Sequence, residues 1–393
     1  MVSVIRISLS ILALALLYPF LAERARVVRL LVDNAPHKFT AVNTFAASSV
    51  KFADRIRNCE DGLMIDEDHV AIFSCDPGRD VWNTVMGTFT PDLSTIPHGN
   101  LHLYRYSQKD ASDEEAKLTT IELRDFPGAK EFHPLGIEYH RPTSTLYVCN
   151  HGLNGSRIEI FALDFSDSSK TPVATYQRTI ISPLIRSPNA ITVLSEHELY
   201  VSSDHYFLKR YNPVLAWIET YLGLPLGGVV YVNLLTNEFR TVARVPFSNG
   251  ITLLNETTVA VASTSTAAVR FYEMSLDRSL QQTGAVNLDF MPDNLSIDKD
   301  GVLLITGHPH PPTLDKMRVE RLGCLLNSTV GNPDCVDGKA PTKVVEWSAD
   351  GNIKTLYATT SEIVGGCTSL RDTVYNIGIT LGLYGKGVLI WNQ

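Results

Sequence analysis

Five side chains with oxygen donor atoms stand at the starts of short aliphatic strands that are widely spaced along the chain. They are Glu60, Asn189, Asn249, Asp293 and Asn294. Carboxylate and amide oxygens without histidine or cysteine suit Ca²⁺, which accepts about six to eight oxygen ligands in flexible geometry. The two carboxylates would balance the charge of the ion, and the three amides would add ligands without charge. A single Asn-Gly or Asp-Asn pair is usually only a turn, so the predicted calcium site depends on the repetition.

The pattern around these residues recurs along the chain. A polar residue near Gly, Pro or Asn opens an aliphatic strand at residues 60–63 (EDGL), 134–137 (PLGI), 188–191 (PNAI), 248–251 (SNGI), 293–295 (DNL) and 366–369 (GCTS). After most of them a second apolar strand follows, at residues 146–148, 199–201, 259–261 and 303–305. Repetition at such intervals is typical of modular arrays. Because the innermost strands of a propeller converge on its axis, the six units predict an all-β, six-bladed β-propeller with these residues around its channel.

The elements that must position these residues are mostly short strands. Alternating apolar and polar residues with Asp-Gly turns run from about residue 61 to the end, and no regular alternation of helices and strands indicates a parallel α/β sheet. One segment differs: residues 213–223 begin with Pro213 and end with Gly223. Four apolar residues share one helical stripe there: Val214, Leu215, Ile218 and Leu222. We expect a short helical insert, either packed on one face or lying over the channel as a lid or membrane-facing element.

The N-terminus and the charge indicate where the protein acts. Residues 7–22 form an uncharged apolar stretch behind Arg6, long for the core of a signal peptide and short for a bilayer span. We expect residues 1–35 to be a signal peptide or a retained anchor and residues 36–393 to be a single propeller domain. The protein would then be secreted or luminal, with a membrane or lipid association through its N-terminus as an alternative. A net charge of −8 without a basic stripe argues against nucleic acid as a partner.

Glycosylation sequons are consistent with export, although such triplets also occur by chance. They begin at Asn154, Asn255 and Asn327. A fourth begins at Asn294 and should stay unmodified, because it falls in the predicted ion site.

The six cysteines are too few for a disulfide scaffold and fit no zinc spacing. Cys324 and Cys335 flank a loop of Gly, Asn and Pro residues and could close it as a disulfide. Cys149 and Cys367 are expected to be free, buried thiols.

Short stretches in a common order carry a family resemblance. They are residues 60–61 (ED), 132–137 (FHPLGI), 150–151 (NH), 203–207 (SDHYF), 219–224 (ETYLGL), 249–251 (NGI), 293–296 (DNLS) and 307–309 (GHP). As a set they resemble the serum paraoxonase/arylesterase family, six-bladed propellers that use calcium to hydrolyse lactones and aryl esters. The resemblance implies that the five oxygen-bearing residues hold a catalytic calcium. It also implies a second, structural calcium held by Asp61 and the backbone carbonyl of Ile137.

The chain departs from the family at three points. Leu135 stands where the family has a catalytic histidine, and Ala190 stands where it has an aspartate of the structural calcium site. The last residues, 387–393, contain no cysteine for the family's long disulfide to the C-terminus.

The departures affect the chemistry that the resemblance implies, in which calcium polarises the carbonyl and a histidine pair activates water. His151 matches the second histidine of the pair. His133 is the candidate substitute for Leu135, since residues two apart on an extended strand face the same side, although Pro134 can bend that strand. The alternatives are a turn histidine at position 133 and a hydrogen-bonding channel histidine at position 151. Leu135 and His308 are expected to line the substrate pocket.

Other catalytic patterns are missing from the sequence. It contains no Gly-x-Ser-x-Gly, no His-Glu-x-x-His and no phosphate-binding glycine loop. The main hypothesis is a calcium-dependent hydrolase of a small lactone or aryl ester, with lactone-like substrates that have good leaving groups favoured over demanding esters. The alternative is a calcium-stabilised propeller that binds a ligand or partner without catalysis, which Leu135 and Ala190 favour. A third is a propeller enzyme of the strictosidine-synthase or gluconolactonase type, with a different ligand set.

Overall fold

The computed structural model describes residues 2–107, 117–327 and 333–393. Six sheets surround a central channel, which confirms the predicted propeller. Blade 1 consists of Cys59–Ile65, Val70–Cys75, Asn100–Arg105 and Leu118–Thr120. Blade 2 consists of Pro134–His140, Thr145–Gly152, Gly155–Asp164 and Val173–Ile180, with Glu122–Arg124 added in parallel at its edge. Blade 3 consists of Pro188–Ser195, Glu198–Ser203, Gly228–Asn233 and Glu238–Arg244.

The remaining blades follow in chain order. Blade 4 consists of Ser248–Leu253, Thr258–Ser263, Ala268–Met274 and Leu280–Asn287. Blade 5 consists of Met291–Ile297, Leu303–His308, Thr342–Trp347 and Ile353–Thr359, with Val42–Asn43 at its edge. Blade 6 consists of Gly366–Asp372, Ile377–Gly382, Val388–Asn392 and the N-terminal strand Ala47–Lys51. A two-stranded ribbon, Trp82–Asn83 and Thr88–Phe89, leaves blade 1 on the side of the candidate site.

Two features close the ring. Strand Ala47–Lys51 pairs antiparallel with Val388–Asn392, so that both ends of the propeller region share blade 6. The innermost strands of neighbouring blades contact one another in cyclic order, from blade 1 to blade 6 and back. The hydrophobic core is divided among the blade interfaces; the one between blades 1 and 2, for example, buries Phe132, Phe161 and Leu101.

In the described part of the chain, three α-helices lie outside the blades: α1 (Val2–Asp33), α2 (Pro213–Leu222) and α3 (Pro311–Asn327). The C-terminal part of α1 packs on the propeller, because Val27 and Leu30 bury their side chains against Ala267 and Met291. Among the residues that the structure describes, no helix combines the length and the apolarity that crossing a bilayer requires. The roles predicted for residues 1–35, and the predicted export, stay predictions.

Helix α2 confirms the predicted helical insert. Gly223 ends it in the left-handed conformation at φ 62°, where its N–H donates to carbonyls of the last turn. The predicted apolar stripe does not form the packed face, because Val214, Leu215 and Leu222 are exposed. The buried residues are Ala216 and Glu219. The side chain of Glu219 holds the preceding loop by accepting hydrogen bonds from the N–H groups of Tyr206 and Phe207, each at 2.9 Å.

Helix α3 was not predicted from the sequence. Its buried face consists of Leu314, Met317 and Arg321. The guanidinium of Arg321 is itself buried and donates to Asp80 Oδ1 at 2.8 Å, so a charged residue interrupts the apolar spacing that would indicate a helix.

The cysteine predictions are confirmed, with one addition. Cys324 and Cys335 form a disulfide between the end of α3 and the following turn. Cys149 and Cys367 are free and buried. A second disulfide, Cys59–Cys75, was not predicted and joins the first two strands of blade 1 next to Glu60.

Candidate metal centre and substrate cavity

Each innermost strand has an irregularity close to its start. The pairing register with the second strand shifts between residues 59 and 61, 134 and 137, 188 and 191, 248 and 251, 292 and 295, and 366 and 368. A β-bulge leaves residues unpaired and redirects their side chains. All five predicted calcium ligands lie within these shifts. The repeated sequence phrase is therefore a repeated bulge that turns one or two side chains per blade into the channel.

Two glycines of the repeated phrase permit the close approach of neighbouring inner strands. A Cβ atom at Gly136 would lie 2.0 Å from the backbone oxygen of Asn189, and one at Gly250 would lie 2.6 Å from the Cα atom of Asn294. Only a residue without a side chain fits at such distances. The glycines therefore bring the ligand-bearing backbones together.

The predicted ligands are all buried, with exposed fractions between 2% and 6%. Four of their oxygen atoms have no hydrogen-bond partner among the described residues: Glu60 Oε2, Asn189 Oδ1, Asn249 Oδ1 and Asn294 Oδ1. A buried acceptor without a donor costs about 1–3 kcal/mol. Four such atoms in one channel, with no nitrogen donor aimed at them, fit a hard cation.

The amide nitrogens of the same asparagines are occupied, which fixes the orientation of two of the side chains. Asn249 Nδ2 donates to Thr264 Oγ1 at 3.0 Å. Asn294 Nδ2 donates to Glu60 Oε1 at 3.1 Å and to Thr368 Oγ1 at 3.0 Å. In both cases the amide oxygen is the free end of the group.

Burial and neighbouring carboxylates raise the pKa of Glu60 in the channel. Burial raises the pKa of Glu60 well above its usual value, and the negative charges of Asp293 and Asp61 raise it further. A divalent cation between these groups would relieve both the desolvation and the repulsion.

A cavity of about 460 Å³ opens above the ligand ring. Glu60, Asn189, Asn249 and Asp293 form part of its lining. The predicted pocket residues Leu135 and His308 also line it, and further apolar walls come from the ribbon, from α2 and from α3: Phe89, Trp217 and Leu314. The arrangement combines an apolar wall with a polar, oxygen-rich floor, as in sites for small organic ligands.

His308 is joined to the ligand ring. Its Nε2 lies 2.8 Å from Asp293 Oδ2, and its Nδ1 has no hydrogen-bond partner within the described chain. The thiol of Cys367 lies close to both side chains, with one ligand atom of each residue within 4.8 Å of the others. Burial, and then the charges of Asp293 and Glu60, raise the pKa of this thiol, so it stays protonated.

The predicted catalytic histidines lie behind the wall of the cavity rather than on it. His133 Nδ1 contacts Asp76 Oδ2 at 3.1 Å. His151 Nε2 donates to the carbonyl of Pro188 at 2.7 Å, and its Nδ1 contacts the hydroxyl of Thr84. Burial lowers the pKa of His151, which keeps the ring neutral.

Simple alternation along the strand predicts that His133 and Leu135 face the same side, but in the structure they lie on different surfaces. Leu135 lines the cavity, whereas the ring of His133 lies between Asp76 and Trp82. The register shift that begins at Pro134 breaks the alternation on which the expectation depended. The catalytic roles of His133 and His151 stay predictions.

The residues predicted to hold a second calcium, Asp61 and Ile137, lie next to each other in space and share a hydrogen bond. Asp61 Oδ2 accepts from the N–H of Ile137 at 2.9 Å, and its Oδ1 lies 2.9 Å from Thr368 Oγ1. Both residues line a second cavity of about 210 Å³ farther along the channel, together with Glu138 and Ala190. Burial raises the pKa of Asp61 to about 6 and that of Glu138 to about 8. A second ion there stays a prediction.

The predicted glycosylation sites Asn154, Asn255 and Asn327 are exposed, whereas Asn294 is buried, as expected for a residue of the channel. Glycosylation of the three exposed asparagines stays a prediction.

Three contributors to the site were not predicted from the sequence. Thr368 bridges the ring, with its hydroxyl 3.0 Å from the carbonyl oxygen of Glu60, and its place in the sixth copy of the repeated phrase was a usable signal. Lys209 and Arg318 line the cavity from the loop before α2 and from α3. No repeat marks these two positions.

Fold and site together define a six-bladed propeller whose channel opens into an apolar cavity with an oxygen-rich floor. The sequence model of the family described as Arylesterase matches residues 86–323 of the chain. The chain therefore belongs to the arylesterase family, which includes the serum paraoxonases.

Individual relatives are distant. Serum paraoxonase/arylesterase 2 of Homo sapiens is 27% identical over 230 residues, which cover 54% of this chain and 62% of that protein. The matched part thus spans less than two thirds of that relative. Serum paraoxonase/lactonase 3 of Homo sapiens is 28% identical over 280 residues, 70% of this chain and 72% of that protein. A solved structure of a luciferin-regenerating enzyme shares the fold with a TM-score of 0.50 and 12% identity, covering 88% of this chain and 95% of that one.

Proposed function

We propose that the protein is a calcium-dependent hydrolase of lactones or aryl esters. The observation that carries this proposal is the set of four buried channel oxygen atoms that have no donor among the described residues, three of them on residues that line the apolar cavity. Membership of the arylesterase family supports the reaction class.

The ligand ring would hold the ion through the side-chain oxygens of Glu60, Asn189, Asn249, Asp293 and Asn294. When bound, calcium supplies a Lewis acid that polarises a carbonyl oxygen. The apolar walls would hold the aryl or alkyl part of the substrate and exclude bulk water from the reacting carbonyl.

A proton acceptor is still required near neutral pH, because calcium acidifies water only weakly, and His308 is placed to provide one. It is the histidine that lines the cavity among the described residues. With the proton on Nε2 donated to Asp293, Nδ1 carries the lone pair that accepts a proton from water. Asp293 thereby fixes the tautomer and the orientation of the ring.

Calcium-dependent turnover of phenyl acetate and a panel of γ- and δ-lactones, with a chelator control, tests this function. We expect chelation to abolish turnover and His308→Gln to lower kcat by about 100-fold, the scale of a lost general base. His133→Gln and His151→Gln serve as matched controls and should lower kcat by less than about tenfold. A larger loss in either control than in His308→Gln would return the base to that residue.

The alternative, a calcium-stabilised binding protein without catalysis, is favoured by Leu135 and by the burial of His133 and His151 behind the cavity wall. Tight calcium binding without turnover of any ester or lactone would support it. Turnover that is insensitive to chelation would instead indicate a metal-independent propeller hydrolase.

A further inference from the structure

The cavity is bordered by a group of basic side chains that the ligand ring does not use. They are Arg24, Lys209, Arg210 and Arg318. The acidic residues of the same lining are Glu60 and Asp293, which belong to the ligand ring, and Asp315. With a divalent cation on the floor, the charge of the cavity would therefore be positive.

Two of the four basic groups have acidic partners. Arg24 Nη2 donates to Glu23 Oε1 at 2.9 Å. Arg318 Nε donates to Asp315 Oδ1 at 2.7 Å, and its Nη1 lies 3.2 Å from the carbonyl oxygen of Gly87. Their positive charges are largely balanced within the protein.

Among the described residues, Arg210 contacts only neutral groups. Its Nη1 donates to the carbonyl of Leu153 at 2.6 Å, and its guanidinium lies over the ring of Trp82, 4.7 Å from the centroid. These contacts fix the side chain without neutralising it.

Lys209 forms neither a direct ion pair nor a hydrogen bond in the described parts of the chain, although the charges of Asp315 and Asp204 act on it from farther away. Its stem packs against the turn of the ribbon, where a Cβ atom at Gly87 would lie 3.0 Å from Lys209 Cδ. The side chain is half-buried and borders the cavity. Burial, followed by the charge of Arg318, lowers the pKa of Lys209 to about 8, and the more weakly acting charges of Asp315 and Asp204 oppose this shift. A partly buried ammonium without a direct ion pair gains from an anionic ligand.

We propose that the cavity takes an ester or lactone that carries a second, anionic oxygen group such as a carboxylate, and that Lys209 binds this group with Arg210 and Arg318 beside it. This inference rests on the proposed hydrolase function and specifies its substrate class. The apolar walls, with Leu135 and Phe89, would hold the uncharged part of the molecule between the anionic group and the reacting carbonyl. A charge-assisted hydrogen bond in a partly desolvated cavity is stronger than the same contact on the surface.

Two matched pairs of esters test the proposal in the calcium-loaded protein. The first pair is 4-carboxyphenyl acetate and its methyl ester, with the charge on the leaving-group side. The second is monophenyl adipate and its methyl ester, with the charge on the acyl side. In at least one pair we expect kcat/KM to favour the charged ester, and Lys209→Met to lower that charged-to-neutral ratio about tenfold. Lys209→Arg should keep most of the preference because it keeps the charge.

Lys354→Met is the matched control, since Lys354 is an exposed lysine of blade 5 that pairs with Glu346 outside the cavity. It should leave both ratios unchanged. A ratio that is the same in the wild type and in Lys209→Met for both pairs overturns the inference while the hydrolase function stands.

Calorimetric binding of glutarate separates the inference from the hydrolase function. If none of the esters is hydrolysed but glutarate binds the wild type about tenfold more tightly than Lys209→Met, the hydrolase function fails and the anion site stands. Equal binding of glutarate to both proteins would place the anion on the calcium alone and overturn the inference.

Discussion

At the scale of single residues, the floor of the channel holds polar atoms that have no hydrogen-bond partner among the described residues. Asn249 illustrates the arrangement: Nδ2 donates to Thr264 Oγ1, whereas Oδ1 is buried and receives no hydrogen bond from any described residue. Folding therefore removes this oxygen from water without replacing its hydrogen bonds. A bound cation would compensate for that loss. Calcium should consequently stabilise the native state by mass action, since it binds the folded ring and not the unfolded chain.

Replacing Asn249 with Leu is expected to weaken calcium binding at least tenfold and to reduce the rise in Tm that calcium produces. The substitution removes one neutral ligand while keeping the size of the side chain. Without calcium the loss in Tm should be small, because the unsatisfied oxygen disappears together with the bond to Thr264. Isothermal titration and thermal unfolding with and without calcium measure these effects. Asn392→Ala, at an exposed site on blade 6, is the control, and an unchanged calcium titration in Asn249→Leu would remove Asn249 from the site.

At the scale of elements, the wall of the cavity depends on two insertions that the blades do not require. The loop that carries Lys209 is tied to α2 through Glu219, and α3 is tied to the propeller through Arg321 and Asp80. Both anchors are buried charged groups with hydrogen-bond partners. The loop that carries Lys209 therefore depends on a few polar contacts, whereas α3 also packs Leu314 and Met317 into an apolar cluster of the propeller.

Glu219→Ala tests this dependence. The N–H groups of Tyr206 and Phe207 would lose a charged acceptor, which costs about 2–3 kcal/mol. We expect the loop at residues 204–212 to open locally while the blades stay folded, with amide hydrogen exchange of residues 206 and 207 faster by about 30- to 150-fold, the factor that corresponds to this cost. Glu238→Ala, at an exposed strand position of blade 3, should leave this exchange unchanged. Loss of the whole fold in Glu219→Ala would show that α2 is integral to the propeller.

The two insertions also show where the sequence was informative. Pro213 and Gly223 mark the ends of α2 because each has a backbone preference that acts locally. The buried face of α3 includes Arg321, whose partner Asp80 lies far away in the chain, so its periodicity is visible only once the fold is known. The Cys59–Cys75 disulfide was missed for the same reason, since the pairing follows from the register of blade 1.

At the scale of the molecule, the repeats predicted the propeller because each blade must place its first strand at the axis, and the same constraint predicted the ligand ring. The direction of side chains next to the bulges could not be predicted. His133 and Leu135 are two residues apart and still lie on different surfaces. The register shift between Pro134 and Ile137 interrupts the regular alternation that would place both side chains on the same side of the strand. The sequence therefore indicates the position of a residue in the repeat. Next to a bulge, it does not indicate the surface that the side chain reaches.

Trp391 in blade 6 makes several of the contacts that close the ring. Its side chain is buried and stacks on Phe45 with ring centroids 4.3 Å apart, and Phe45 also stacks on Tyr357 of blade 5 at 5.2 Å. Trp391 Nε1 donates to Thr380 Oγ1 at 3.0 Å. One residue thereby joins the last strand, the N-terminal segment and the neighbouring blade.

Trp391→Ala is therefore expected to lower the free energy of unfolding by about 3–5 kcal/mol, the range for truncating a buried tryptophan. Because the ring closes through the pairing of Ala47–Lys51 with Val388–Asn392, the loss should act on the whole propeller, and the six blades should still unfold in one transition at lower denaturant. Denaturation followed by tryptophan fluorescence and by far-ultraviolet circular dichroism measures both points. Trp217→Ala, which truncates an exposed tryptophan of α2, is the control and should change stability by less than about 1 kcal/mol. Separate transitions in the two signals for Trp391→Ala would mean that blade 6 can open while the other five blades stay folded.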